Sequence, residues 1–329
     1  MDNIRINSVG IYHPENKVSN DFYIEHFFKQ DKDIRRLLEA YGRKTRYVIN
    51  NKDENNITMA IKACENALNK AYLKGEDIDL IIFSSIIPQY TMPPQAIMIH
   101  NAIKGKKDCM VLDTNVNCAG MIVAVDNAVR ILKTNNNFKK ALIVGSDCWS
   151  RHCSTNDELT YPIFGDCACA VILEKTDKDS DFLGSHSLTN SDNWDMVKYP
   201  SCGMTNIYED INPHEKMINW TPFDGSFSVK EAKLSINKLL DDYHLSLDNI
   251  DLYCISQFAL GMRDGFLEEF SVTPDKVPYI GDKYGYTGCT SPFLALYESI
   301  ESGKLKRGDN VILWSIGTFW STCSLLLRY

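Results

Sequence analysis

The chain repeats itself, and the repeat leaves few folds open to it. Asp77-Ile-Asp-Leu-Ile-Ile-Phe-Ser84 returns as Asn249-Ile-Asp-Leu-Tyr-Cys-Ile-Ser256, displaced by 172 residues. An amphipathic helical pattern precedes each copy, at about 57–72 and 229–243, and Ser228-x-x-Glu231 gives the second the spacing of a capping box. Cys118 with an amphipathic run behind it recurs, 171 residues on, as Cys289-Thr290-Ser291 ahead of 292–300. Lys140-Ala-Leu-Ile-Val-Gly145 pairs with Asn310-Val-Ile-Leu-Trp-Ser315, and each half closes on a β-rich run, 168–173 and 323–327.

Helices and strands alternating in one order at a nearly constant offset predict a duplicated α/β unit with mostly parallel sheets covered by helices. Two similar sheets would pack around central helices beginning at Cys118 and Cys289. Such a helix must be poor in charge, and 119–128 carries only Asp126. The reading places one half at 1–175 and the other at 176–329. The stretch from about 177 to 224 is rich in Asn, Ser, Asp and Pro and breaks the pattern, so it is read as an insertion covering the site.

Bulk properties exclude several classes. At 329 residues, 44% hydrophobic and 24% charged, the chain has ample core, and its net charge of −8 speaks against a general nucleic-acid binder. Most of its 11 cysteines lie in apolar runs, where a free thiol acts as a small hydrophobe. No CxxC pair occurs and Cys167-x-Cys169 sits in a strand-like run, so no metal site is expected. The Met1-Asp2-Asn3 opening carries no basic and apolar leader and no apolar run reaches about 18 residues. The expectation is a cytoplasmic protein with reduced thiols and no membrane span.

One cysteine stands apart. The apolar run 110–112 leads through small and polar residues to Cys118 and then to a helical pattern over 122–132, which reads as strand, tight turn, helix. A thiol there meets free amides and the positive end of the helix dipole, so it is expected to ionise more readily than an ordinary thiol. Cys118 is the nucleophile candidate.

This duplication, with a cysteine opening the first buried helix, resembles the plan of the thiolase superfamily, and the local sequence is similar to ketoacyl-acyl-carrier-protein synthase III. Residues 113–121 resemble that family's nucleophile turn. Val144-Gly145-Ser146-Asp147, Arg151 and Phe164-Gly165-Asp166-Cys167-Ala168-Cys169-Ala170 follow its middle segment, and Lys283-Tyr284-Gly285 resembles the lead into its asparagine motif. The resemblance implies a five-layered α-β-α-β-α fold. It also implies an acyl-cysteine drawn from an acyl carrier protein or acyl-CoA, with the substrate carried on phosphopantetheine and no permanently bound cofactor. The assembly it implies is a homodimer, or a heterodimer with a homologous chain.

In that family a histidine and an asparagine steady the developing enolate. Here the histidine position reads Ser256, within Ser256-Gln257-Phe258-Ala259, and the asparagine position reads Tyr286. The strand turn that lends an oxyanion-hole amide reads Ser315-Ile316-Gly317-Thr318-Phe319, which points to backbone near Gly317 and Thr318. Arg151 is placed against a CoA nucleotide by the resemblance, and Arg43 and Arg46 lie in a family-like entrance segment, Tyr41 to Arg46. Arg36 stands where the family often has tryptophan. Gln257 matches the family glutamine, Asp166 is read as a structural support, and Phe258, Phe319 and Trp320 as aromatics reshaping the pocket. None of the histidines (13, 26, 100, 152, 186, 214, 244) falls in the expected motif, though His152, His186 and His214 are candidates to fold back.

Three readings follow. The first is an acyltransferase that loads Cys118 and passes the acyl group to an acceptor in specialised metabolite or fatty-acid-like biosynthesis. The second is a decarboxylating condensing enzyme with Ser256 and Tyr286 as oxyanion donors. The third is a non-catalytic subunit paired with a related chain.

Overall fold

The strands that repeat in sequence build two sheets. The computed structural model describes residues 3–318 and 320–329. The first sheet holds β1 (Asn3–Tyr12), β2 (Leu80–Ser84), β3 (Met110–Thr114), β4 (Lys140–Asp147) and β5 (Cys167–Thr176), in the spatial order β1-β5-β4-β2-β3. The second holds β6 (Asp181–Thr189), β7 (Leu252–Ile255), β8 (Asn310–Gly317) and β9 (Ser321–Arg328), in the order β7-β8-β9-β6.

The expectation of mostly parallel sheets is corrected: both are mixed. β3, β2 and β4 run parallel, as do β7 and β8, but β5 is antiparallel to β4 and β1, and β9 to β8 and β6. The cause at the C-terminus is connection length. Gly317 pairs with Ser321, and so tight a turn joins only antiparallel neighbours.

Among the helices of the described residues, six cover and separate the sheets: α1 (Asn56–Ala71), α2 (Gln95–Ala102), α3 (Gly120–Thr134), α4 (Phe227–Asp242), α5 (Leu260–Phe270) and α6 (Ser291–Glu301). Side chains alternate along the strands, so each sheet is apolar on both faces. Leu80 and Ile82 of β2 point inward to a core shared with Met121, Ala124 and Ala128 of α3, Phe293 and Leu296 of α6, and Leu313 and Leu325 of the second sheet. Ile81 and Phe83 point outward to Ala60, Ala63 and Ala67 of α1. Ile312 and Trp314 turn outward in the second sheet, to Ile236 and Leu239 of α4 and Phe266 of α5. The layers are therefore helix, sheet, helix pair, sheet, helix. Between the sheets, α3 presents the fully buried Ala124 and Ala128 to that core.

Local signals agree with the repeat at one site and miss at another. Asn55 caps α1 through the Ile57 and Thr58 amides at 2.9 and 3.1 Å, and Thr58 Oγ1 accepts from the Asn55 amide, a full capping box. The box expected at Ser228 does not form. The helix begins two residues earlier than that box requires, at Phe227, and Ser228 Oγ donates to the Gly225 carbonyl at 2.7 Å. The stretch 177–224 is not wholly an insertion, because β6 within it pairs along β9. The irregular cover follows Thr189. Among the described residues no helix is long and apolar enough to cross a membrane.

Candidate active site

β3 ends at Thr114 and α3 begins at Gly120, so the intervening turn must reverse the chain in five residues. Asn115 Oδ1 accepts from the Asn117 amide at 2.9 Å, and Asn117 takes a left-handed φ of 49°, which asparagine tolerates better than most side chains. The turn is clamped to the end of β8. Asn117 Nδ2 donates to the Thr318 carbonyl at 2.5 Å and Ser315 Oγ to the Cys118 carbonyl at 2.8 Å. Gly317 permits that approach: a Cβ there would lie 2.8 Å from the Val116 carbonyl oxygen. The backbone at 317–318 thus lies against the Cys118 turn.

Cys118 lies one residue ahead of the Ala119 N-cap of α3 and is 3% exposed. Its sulfur shares a buried cluster with the Tyr286 phenol, and the two groups act on each other's protonation. The expected easy ionisation is overturned. Burial pushes the thiol up to about 12, with the Asp147 carboxylate adding to the rise, while the bonds from Tyr286 and the Cys118 amide pull it partly back. The helix terminus acts on a sulfur almost wholly enclosed by protein, and burial outweighs a half-charge dipole.

Tyr286 is fixed at both backbone ends. Its amide donates to the Ile163 carbonyl at 3.0 Å, and its carbonyl accepts from the Gly165 amide at 3.0 Å. Burial and the neighbouring Cys118 push its phenol well above the usual tyrosine value, so it stays protonated and acts as a donor. Ser256 follows β7, with its amide on the Trp314 carbonyl at 2.9 Å, and its Oγ stands 3.4 Å from the Tyr286 hydroxyl. Cys118, Tyr286 and Ser256 therefore form one buried polar row.

That row is the floor of a cavity of about 690 Å³, which reaches from exposed Lys230, Glu268 and Glu269, between α4 and α5, to the Cys118 sulfur. Gly317 and Thr318 line it too. Its walls are aromatic. Trp220 stacks on Phe258 with ring centres 5.2 Å apart, and Trp320 on Phe227 at 3.9 Å.

Several expected site residues lie elsewhere. Arg46 is not at an entrance: it is fully buried, donates to Asn20 Oδ1 at 2.8 Å and to the Pro162 carbonyl, and covers the Tyr23 ring at 4.3 Å. Arg43 is buried as well. Gln257 is not available to substrate. Its Nε2 donates to the carbonyls of Ile255 and Pro278 at 2.9 and 3.2 Å, and its Oε1 accepts from the Ile280 amide at 2.9 Å. Arg151 is exposed, bonded to the Asn51 carbonyl, and outside the cavity lining. Phe319 lies outside the described residues.

The three histidine candidates are engaged elsewhere. His152 stands 3.8 Å from the Cys148 sulfur, with burial pushing its imidazole down to about 4. His186 bonds Ser235 and His214 bonds Ser154. Asp166 is a support as expected, accepting from the Ile49 amide and from both the amide and hydroxyl of Ser150. Sequence reading missed Tyr41, Trp220 and Phe227 in the walls. The available signal was the scatter of aromatics through the irregular cover and its border with α4.

Comparison with known proteins gives a consistent result. Residues 112–191 match the family described as 3-oxoacyl-[acyl-carrier-protein (ACP)] synthase III, and residues 240–329 match its C-terminal part. The beta-ketoacyl-[acyl-carrier-protein] synthase III of Clostridium perfringens is 29% identical over 321 residues, 96% of either chain. The crystal structure of 3-oxoacyl-[acyl-carrier-protein] synthase III from Aquifex aeolicus superposes with a TM-score of 0.88 at 25% identity, covering 99% of this chain and 100% of that one. The priming beta-ketosynthase of the R1128 polyketide pathway gives a TM-score of 0.88 at 20% identity over 98% and 96% of the two chains, a likeness of fold.

Proposed function

This chain belongs to the thiolase superfamily as a 3-oxoacyl-(acyl-carrier-protein) synthase III-like protein, and from that premise we propose that it is an acyltransferase working through an acyl-Cys118 thioester. The observation that carries the proposal is the Cys118 sulfur, clustered with Tyr286, at the floor of an aromatic cavity reached from exposed residues. The donor is an acyl group on phosphopantetheine, from an acyl carrier protein or CoA. Cys118 sulfur attacks the thioester carbon, the carbon–sulfur bond to the pantetheine breaks, and the thiol proton ends on the departing sulfur. In this reading the Cys118 amide and the backbone at 317–318 hold the transient oxyanion. Tyr286, always protonated, supports negative charge on sulfur or oxygen as it forms. The acyl group then passes to an acceptor that brings its own nucleophile.

One observation favours a second reading. Two hydroxyls 3.4 Å apart, Ser256 and Tyr286, converge beside the sulfur, which is the donor pair a decarboxylating condensation needs for its enolate oxygen. Intact-mass analysis after exposure to acyl-CoA and to acyl carrier protein tests the first reading. The expected result is one acyl adduct, lost in Cys118→Ala. No adduct from either donor overturns it and leaves the non-catalytic subunit. Carbon dioxide release from a malonyl thioester selects the condensing enzyme.

A further inference from the structure

Arg43 is a cation with no carboxylate bonded to it among the described residues. Its guanidinium, 2% exposed, is held by backbone carbonyls and one phenol. Nε donates to the Ile163 carbonyl at 3.2 Å, and Nη2 to the carbonyls of Gln257 and Phe258 at 3.2 and 2.5 Å. Nη1 donates to the carbonyls of Tyr41 and Gly281, both at 3.2 Å, and to the Tyr279 hydroxyl at 2.5 Å. The cradle is shaped for this fork, since a methyl group at Gly281 would collide with Nη1. Burying a cation costs several kcal/mol unless its donors are all satisfied, and here the satisfying groups come from segments that carry the site.

The Ile163 carbonyl accepts from both Arg43 Nε and the Tyr286 amide. Gln257 and Phe258, held by Nη2, directly follow Ser256. One planar group thus spans the supports of both hydroxyls. We propose that Arg43 is the positioning residue of this site, its fork holding the Tyr286 and Ser256 hydroxyls in register with the Cys118 sulfur. The proposal rests on the reading of Cys118 as nucleophile. Lysine keeps the charge but is a point donor on a flexible stem, unable to bridge the carbonyls of Ile163 and Phe258 together.

The test is a double-mutant cycle that needs no acyl substrate: the rate of Cys118 alkylation by iodoacetamide in wild type, Arg43→Lys, Tyr286→Phe and the double variant. Alone, Tyr286→Phe slows alkylation by about tenfold, the equivalent of one unit in the thiol pKa. In the Arg43→Lys background the same change costs less than about twofold, because the phenol has already left register. Independent, multiplying effects overturn the proposal, as does an Arg43→Lys rate equal to wild type. Should Arg43→Lys lose its thermal transition, Tyr279→Phe replaces it in the cycle, with smaller coupling of the same sign expected and independence again overturning. A coupled cycle without any acyl adduct from wild type would sink the acyltransferase reading while leaving Arg43 in place.

Discussion

Cys118 and Cys289 open equivalent helices in the two halves, both thiols are buried and both feel Asp147, yet they differ in access and in hydroxyl partner. Cys118 lies on the floor of the cavity, with its sulfur on a phenol that stays protonated. Cys289 is fully buried outside the cavity lining, its sulfur 3.5 Å from Asp147 Oδ2 and 3.8 Å from the Ser84 carbonyl, and burial with that carboxylate pushes the thiol well above the usual range. A helix terminus is common to both. What separates them is the partner and the way in, so duplication supplies the frame and the lining supplies the reactivity.

The strongest way to break this comparison is to remove each sulfur. Cys118→Ala should abolish acyl labelling in intact-mass spectra, while Cys289→Ala should keep it. Labelling that survives Cys118→Ala, or vanishes in Cys289→Ala with the fold intact by circular dichroism, would place the chemistry in the other half. Next in size is the partner. Tyr286→Phe removes a donor and keeps the ring packing, so acyl transfer from Cys118 should fall by about 10²-fold in single-turnover measurements with little change in melting temperature. Ser256→Ala, one hydroxyl further from the sulfur, should cost less than that.

The pH response sharpens the contrast. A thiol titrating at about 12 is ionised to about one part in 10⁵ at pH 7, and below its pKa the thiolate fraction rises about tenfold per unit. Alkylation of Cys118 should therefore climb about tenfold per unit from pH 7 to 10 without levelling, followed by peptide mapping, while Cys289 stays unlabelled in the folded protein. A plateau by pH 8 would mean that the helix terminus wins over burial.

The fold was legible because the repeat fixed the alternation: Leu80 and Ile82 on one face, Ile81 and Phe83 on the other, follow from period two alone. At the site, the strand, turn and helix around Cys118 were visible in the residues themselves, whereas Ser256 and Tyr286 were named through the family resemblance, and the structure brings the three together. It was not legible where tertiary partners decide. Arg43 and Arg46 read as exposed because charge usually is, yet their partners are carbonyls more than a hundred residues away, such as Ile163 and Pro162. The dipole at Cys118 is local and visible in the sequence, whereas the desolvation that overrides it is assembled from the whole cavity. Ser228-x-x-Glu231 had the spacing of a capping box, but the helix started two residues before that box allows and left Ser228 inside the first turn.

The smallest predicted effect links the two cysteines through one carboxylate. Asp147 accepts from Ser85 Oγ and the Ile86 amide, both at 2.8 Å, touches the Cys289 sulfur, and acts across the core to raise the Cys118 thiol. Burial raises its own pKa to about 6, so it is charged at pH 8 and mostly neutral at pH 5. Asp147→Asn removes that charge and keeps the shape, so Cys118 should ionise more easily. Alkylation at pH 8 should rise by about threefold, the scale of one charge felt at a distance through protein. At pH 5 the wild-type carboxyl is already neutral, and the two proteins should react alike. An equal acceleration at both pH values would point to loosened packing, and none at pH 8 would mean that Asp147 serves Cys289 alone.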